Sequence, residues 1–407
     1  MSRGPVAVVG CGFPQLGLLR AARALGLEIV GLDLNPRAVG VPLAHRFVEA
    51  STGDPDAIAA AVLAAGCRAL TTTGSELALT TAAAVAARLG LPFYADPATV
   101  HRCQAKDAMR AAYAAAGLPT PRFAFCTTEA EARRFVGEVG LPVVVKPARG
   151  WGQRGVALVE EAGELGPRLE AAAALSRGER GAVVEECLRG PEVSVNAWVE
   201  RGELVAYCVT DREVFPGRAP LGVMRSEVSP PSLAPAAVEA AVRAAADAAR
   251  ALGLERGPCY SQVCLTERGP VLFETAARCG GGFDADVTRL VSGVDLYARL
   301  LGVALGDPAL EAQGPLGDRH PAALVRFLAP PRGLVREVAG LDEARASPGV
   351  VDAAVYARPG DRLEGLVNAA SRVAHLLVVG ASRAEAVARA DAAEARLRIE
   401  AIADPNA

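Results

Sequence analysis

Aromatic residues make up only 4% of this 407-residue chain. So sparse a set argues against the stacked-ring platforms that hold single-stranded nucleic acid. Net charge is equally slight: 43 lysines and arginines against 46 aspartates and glutamates leave -3. That balance excludes a generally basic nucleic-acid surface while allowing a local basic site. No CxxC pair occurs among the nine scattered cysteines, and an odd, unpatterned count does not make a disulfide framework. With four histidines in all, a zinc cluster is not expected. Charge, glycine or proline interrupts every apolar run before it reaches membrane-spanning length. No charged-then-apolar leader precedes VAVVG, which begins at Val6. The expectation is a soluble cytoplasmic protein without nucleic-acid or membrane partners, its cysteines small buried residues in a reducing compartment.

What the chain has is apolar content, 51%, mostly alanine, leucine and valine. That is enough to bury a sizeable core across two or three domains. Residues 1–100 alternate short apolar runs (Val6–Val9, Glu28–Leu32, Ala69–Thr72) with helical stretches (Leu16–Leu25, Ala57–Ala65, Leu77–Leu89). Such alternation predicts βαβ units and a parallel sheet. Residues 101–310 change rhythm, with a helix over Lys106–Ala116, strands at Val143–Lys146, Val183–Glu186, Val193–Glu200 and Val271–Glu274, and a long helix over Ala236–Leu252. Beyond about 315 the pattern predicts a strand at Leu324–Leu328, a turn at Pro330–Gly333, a strand within Ala370–Val379 and a helix over Arg383–Ile399. Glu311–Arg319 is the candidate boundary.

Two glycine clusters stand out. Gly10, Gly12 and Gly17 lie between a strand and a helix, and Asp33 ends the next strand. The pattern approaches a dinucleotide fingerprint, but the third glycine comes two positions late and Pro14 removes a backbone donor. A tight βα turn without NAD is the favoured reading. The second cluster, in VVVKPARGWGQRG, places Lys146 at a strand end and Gly150, Gly152 and Gly155 in the following loop. Backbone N–H groups of such a loop can cover phosphates. A flexible hairpin tip with a surface lysine explains this segment equally well on its own. Trp151 and Arg154 in the loop either touch phosphate or substrate or pack the folded-down loop.

Acidic residues add to the second cluster. Glu185 and Glu186 end a strand whose backbone can meet an adenine edge, and Glu192 beyond the turn can accept from ribose hydroxyls, though paired glutamates are usually solvated. Glu274 ends the strand Val271–Phe273, and Gln262 lies upstream on the neighbouring strand of a hairpin. Two oxygen ligands facing one point, with phosphates, suit Mg²⁺. Arg278 can hold a carboxylate or developing phosphate charge in bidentate fashion; the competing reading is a structural Glu274–Arg278 salt bridge.

These pieces, in this order, resemble the ATP-grasp superfamily of carboxylate–amine ligases over nearly the whole chain. The resemblance implies an α/β fold, α+β in its core: a Rossmann-like N-terminal domain at 1–100 and a two-lobed ATP-grasp core at 101–312 with a lid subdomain at about 120–190. A small α+β C-terminal domain follows at 313–407. Lys106 matches the first ATP-binding lysine and Lys146 the second, ahead of the phosphate-covering loop that holds Gly150, Gly152, Gln153 and Gly155. Glu185, Glu186 and Leu188 match the adenine hinge, and Glu192 the ribose acid. Glu274, with Gln262, matches the metal position for Mg²⁺ or Mn²⁺. Arg278, with Gly280 and Gly281, matches the group that holds acyl phosphate or substrate. Two positions depart from the pattern. Gln262 stands where many relatives have an acid, although carbamoyl phosphate synthetase has a glutamine there. Ala276 stands where an asparagine is common, which leaves one metal ligand open. The segment LVRFLAPPRGLVREVAGLDEARASPGVVDAAVYARPGDRL is similar to the C-terminal domain of L-amino-acid ligases, and no biotin-carrier lysine motif is visible.

The resemblance implies transfer of the ATP γ-phosphoryl group to a carboxylate, then attack of an amine, such as an amino acid, on the acyl phosphate. Lys146 and Arg278 would serve in catalysis. Glu227 in MRSEVSPPS is a candidate base, weighed against an exposed loop acid. Relatives are often dimers, so a homodimer is expected. Two rivals stay open: a degenerate ATP-binding module, motivated by Gln262 and Ala276, and an NAD-dependent oxidoreductase using Gly10, Gly12 and Asp33.

Overall fold

The structure is a computed structural model that describes residues 4–150, 152–176, 181–218, 220–312, 317 and 319–403. Trp151 and part of the 311–319 boundary segment lie outside the described residues. The first section folds as predicted. Strands β1 (Val6–Val9), β2 (Ile29–Asp33), β3 (Arg46–Glu49) and β4 (Ala69–Thr71) form a parallel sheet in the order β3-β2-β1-β4. Helix Leu16–Ala24 joins β1 to β2, helix Pro55–Ala64 joins β3 to β4, and helix Glu76–Leu89 follows β4. The last begins on a Ser75 cap, whose hydroxyl accepts from the Ala78 N–H. It ends on Gly90 at φ 64°, a left-handed turn that glycine adopts without strain.

The next strands, β5 (Phe123–Cys126), β6 (Val143–Pro147), β7 (Ala157–Val159) and β8 (Ala182–Glu186), make an antiparallel sheet in the order β5-β8-β6-β7. It is backed by helices Glu129–Val139 and Leu165–Ala174. Along this sheet β6 and β8 lie side by side, which sets Lys146 beside Glu185.

The remaining strands are β9 (Glu192–Glu200), β10 (Glu203–Val214), β11 (Met224–Ser229), β12 (Arg256–Thr266), β13 (Gly269–Ala276), β14 (Ala322–Leu328), β15 (Arg332–Ala339), β16 (Val350–Val355), β17 (Arg362–Glu364), β18 (Ala374–Gly380) and β19 (Arg398–Ile402). Eight of them build one sheet in the order β13-β12-β9-β10-β11-β14-β18-β16. Helix Pro235–Ala251 lies on this sheet through Ala241, Ala244, Ala245, Ala248 and Ala249, an apolar stripe at helical spacing. The alanine bias thus has a packing use: small side chains bring helix and sheet close.

Two expectations are corrected. The turn at Pro330–Gly333 ends early, because Arg332 already pairs with Glu364 as the start of β15. The helix over Arg383–Ile399 stops at Glu394, and Arg398–Ile402 is strand β19, paired with β15. Its alternating half-buried pattern is a two-residue period, which suits a strand laid on an open sheet edge.

Candidate active site

A cavity of about 420 Å³ opens between the β5–β8 sheet and the end of the eight-stranded sheet near β13. Lys106, Lys146, Gly150, Gly152, Gln153, Glu185, Glu186, Leu188, Glu192, Gln262, Glu274 and Arg278 all line it. A second hollow of about 540 Å³ lies beside Phe123–Cys126, and none of these residues lines it. Gly155, Glu227, Gly280 and Gly281 are not part of the cavity wall.

Lys146 Nζ donates to Glu185 Oε2 at 2.6 Å, and Arg110 Nη2 donates to Glu185 Oε1 at 2.8 Å. Burial pushes the Lys146 ammonium down to about 8, against the pull of Glu185, while the nearby charges of Arg110 and Lys106 add to the fall. Burial alone would raise the Glu185 carboxyl, but Lys146 and Arg110 hold it below its ordinary value. Lys106 Nζ donates to Gly150 O at 3.1 Å and so ties the glycine loop to the cavity wall. In that loop Gln153 has φ 62°, a conformation costly for a side chain with a Cβ. Lys106 and Lys146 are also the only lysines in the chain; every other basic residue is arginine. That signal was legible in the sequence, because a compact ammonium is kept only at these two places.

At the β8 end, the Glu186 carboxylate is held outward by Arg122 and Arg268. The Glu186 N–H donates to Arg122 O. Among the described residues no backbone hydrogen bond uses the N–H of Cys187 or Leu188, so these are the hinge groups open to a ligand. Glu192 pairs with Arg212 at 2.9 Å, and Arg212 also donates to Gly222 O at 2.5 Å.

Gln262 and Glu274 stand opposite each other in the β12–β13 register. Gln262 Nε2 donates to the Tyr260 hydroxyl at 2.7 Å, which leaves the amide oxygen for another partner. Among the described residues no hydrogen bond or ion pair takes the Glu274 carboxylate. The structural Glu274–Arg278 salt bridge is therefore overturned: Arg278 Nε donates instead to Glu76 Oε1 at 2.7 Å, and its guanidinium lies 5.6 Å from the Tyr260 ring centroid. A free carboxylate and an amide oxygen fit a hard divalent cation whose other ligands are phosphate oxygens and water. Ala276 adds no donor.

Glu227 is corrected as well. It is no loop acid but a fully buried residue of β11. Ser194 Oγ and Thr210 Oγ1 donate to its two oxygens at 2.7 and 2.9 Å. Burial, then the neighbouring Asp284, push its carboxyl well above the ordinary range. Gly280 and Gly281 sit in the turn before helix Asp284–Ser292, Gly281 close to Gly74 O and Gly280 against the Asp284 side chain. Cys279 is buried, as a small packed residue should be.

Sequence reasoning missed Arg110, Arg212, Glu76 and Asp284. Their partners lie 75, 20, 202 and 57 residues away or thereabouts, beyond any local spacing. In the first glycine cluster, Gln15 Nε2 donates to Thr73 O and its side chain lies against Gly10. A Cβ at Gly17 would meet the Tyr297 ring at 2.4 Å. The Cys11 N–H donates to Asp33 Oδ2 at 2.7 Å.

Residues 139–286 match the ATP-grasp domain, and residues 326–401 match the L-amino acid ligase C-terminal domain 2. An uncharacterized protein of Sinorhizobium fredii is 33% identical over 296 residues, 72% of this chain, and the chain spans 60% of that relative's length. The phosphoribosylamine–glycine ligase of Streptomyces coelicolor is 29% identical over 97% of this chain and 96% of its own. In fold the chain is similar to the crystal structure of an L-amino acid ligase from Bacillus licheniformis, with a TM-score of 0.82, 21% identity and coverage of 98% and 99%. No helix among the described residues is long and apolar enough to cross a membrane. The chain therefore carries an ATP-grasp domain followed by an L-amino acid ligase C-terminal domain.

Proposed function

We propose that the protein is an ATP- and Mg²⁺-dependent ligase that activates a carboxylate as an acyl phosphate and joins it to an amine, releasing ADP and phosphate. The observation that carries this reading is the convergence of Lys106, Lys146 and Arg278 with the unpaired Glu274 on one cavity. Three positive groups and one free carboxylate are what a metal-bound triphosphate needs, since phosphoryl transfer depends on positioning and charge neutralisation. This reading divides the chain into 1–100, 101–312 with a lid at about 120–190, and 313–407.

In this reading Lys106 and Lys146 hold the phosphates, and the backbone of Cys187 and Leu188 meets the adenine. Glu192 accepts from the ribose, and the loop Gly150–Gly155 excludes water, which would hydrolyse an acyl phosphate. Glu274 and the Gln262 oxygen would hold the divalent cation, which screens the phosphate charge when bound. Arg278 stabilises the negative oxygen that develops when the amine attacks. Glu227, buried outside the cavity wall with its carboxyl raised, serves as the amine's base only in its deprotonated form. Both substrates are small molecules. The chain works in the cytoplasm, as nine unpaired cysteines favour, and as a homodimer.

The filled turn at Gly10 and the engagement of Asp33 by Cys11 count against the oxidoreductase alternative. The degenerate-module alternative rests on Ala276. Phosphate release across a carboxylate-by-amine matrix, with mass spectrometry of the products, tests all three. ADP and an amide are expected. AMP as product would overturn the acyl-phosphate route, and ATP binding with no turnover for any pair would favour the degenerate module.

A further inference from the structure

Tyr260 lies on β12, two residues before Gln262, and is 6% exposed. It does not line the cavity, yet it touches two side chains that do. Its hydroxyl accepts from Gln262 Nε2 at 2.7 Å, and its ring centroid lies 5.6 Å from the Arg278 guanidinium carbon. The same hydroxyl meets Ser194 Oγ at 3.3 Å, and Ser194 Oγ donates to Glu227 Oε1 at 2.7 Å. The strand register brings these groups together, because Ser194 on β9 stands opposite Gln262 on β12.

The direction of each bond follows from the protons available. A serine hydroxyl has one proton, and the shorter bond to Glu227 uses it. The contact between Ser194 and Tyr260 then uses the phenol proton. The phenol oxygen is left as an acceptor, so it takes an N–H from Gln262 and cannot serve the amide oxygen. The Gln262 amide is thereby turned one way, with Nε2 toward Tyr260 and Oε1 left for the cavity, on whose wall Gln262 stands opposite Glu274. This direction matters for an amide. A carboxylate offers a cation two equivalent oxygens whichever way it is turned, whereas an amide offers an oxygen on one side and an N–H₂ that repels a cation on the other.

We propose that Tyr260 is a positioning residue of the metal site, its hydroxyl holding the Gln262 amide so that the oxygen, and not the N–H₂, meets the divalent cation. The proposal rests on the metal position of the ligase reading and adds the group that lets a glutamine serve there. Without the hydroxyl the half-freed N–H₂ turns toward the cavity for water. Metal binding must then turn it back against a surface that offers no acceptor, and a buried donor left unsatisfied is costly.

The test measures Mn²⁺ bound by the full-length protein carrying substoichiometric ADP, read from the loss of the free-ion paramagnetic resonance signal. Tyr260→Phe keeps the ring beside Arg278 and removes only the hydroxyl. It should weaken Mn²⁺ binding at least about fivefold, while ADP affinity without metal stays within twofold and reports the fold. Gln262→Glu should bind Mn²⁺ at least as tightly as wild type. Adding Tyr260→Phe to it should cost less than twofold, because a carboxylate needs no orienting. Wild-type Mn²⁺ affinity in Tyr260→Phe, an equal loss in the Gln262→Glu background, or loss of metal-free ADP binding in Tyr260→Phe each overturns the proposal. Glu274→Ala in the same assay separates the metal position from the role of Tyr260. If Glu274→Ala loses Mn²⁺ and Tyr260→Phe does not, the metal position stands and Tyr260 has no part in it. If Glu274→Ala binds Mn²⁺ like wild type, the metal position falls and the proposal falls with it. The expected pattern in a protein that forms no ADP with any substrate pair would uphold Tyr260 and remove the ligase reading.

Discussion

Lys146 donates to Glu185 across 2.6 Å between the neighbouring strands β6 and β8. The contact does not keep the ammonium at its usual strength, because burial outweighs it and brings the group down to about 8. In the free protein Lys146 is charged below that pH and loses its proton above it. A bound triphosphate favours the ammonium, so binding above pH 8 must take up a proton. ATP affinity should change little below pH 7.5 and fall about fivefold between pH 8 and 9. Calorimetry in two buffers of different ionisation enthalpy reads the proton uptake directly. Binding that is proton-neutral from pH 7 to 9 would remove Lys146 from the phosphates.

Removal of the free carboxylate should be decisive for the metal. Glu274→Ala should cut ADP formation at least a hundredfold with the thermal midpoint preserved, since no described residue pairs with Glu274. Ala276→Asn adds an oxygen donor where the strand now has none. It should lower the Mg²⁺ concentration for half-maximal turnover several-fold. A Glu274→Ala enzyme with normal turnover would refute the metal position.

Glu227→Gln keeps an acceptor for one of the Ser194 and Thr210 hydroxyls, lets the other accept from its amide N–H, and removes the base. Loss of general-base assistance is worth about two to four orders of magnitude. The coupled product should fall by that much while ATP still binds, and the acyl phosphate should drain to hydrolysis, seen as phosphate released without amide. Glu227 carries a raised carboxyl, so wild-type amide formation should rise with pH until this group is deprotonated. A flat pH profile together with full activity of Glu227→Gln would exclude it as the base.

Arg278 and Glu76 are both nearly buried, 12% and 13% exposed, and Glu76 comes from the N-terminal section. Glu76→Ala leaves the guanidinium without its partner and should cost about 3 kcal/mol of stability, the order found when one member of a buried pair is removed. Denaturant melts of wild type and Glu76→Ala measure this. A change under about 0.5 kcal/mol would mean that Glu76 does not hold Arg278 in solution.

Much of the site was legible because its parts are local. Lys146 is a strand-end lysine before a glycine loop, and Gln262 and Glu274 flank one hairpin, so both could be placed from spacing alone. The rest depended on which distant strands become neighbours. Arg212 reaches Glu192 only because β10 pairs with β9. Glu227 passes for a loop acid among Ser226, Ser229, Pro230 and Pro231, yet β11 lies between β10 and β14 and is buried on both sides. Helix ends were misread where a two-residue period followed a helix directly, as at Arg398–Ile402.

The eight-stranded sheet also bears on how this chain can be taken apart. Ser226 faces Arg326 and Ser229 faces Ala323 across the β11–β14 ladder, so the last quarter of the sequence completes a sheet begun by residues 192–276. A truncation or a graft made near residue 313 would cut through that ladder's only covalent approach and expose the full length of β11 as an unpaired edge, which invites pairing between molecules. Any exchange of the C-terminal section between relatives therefore calls for changes made within an intact sheet, since a severed tail would yield aggregates first.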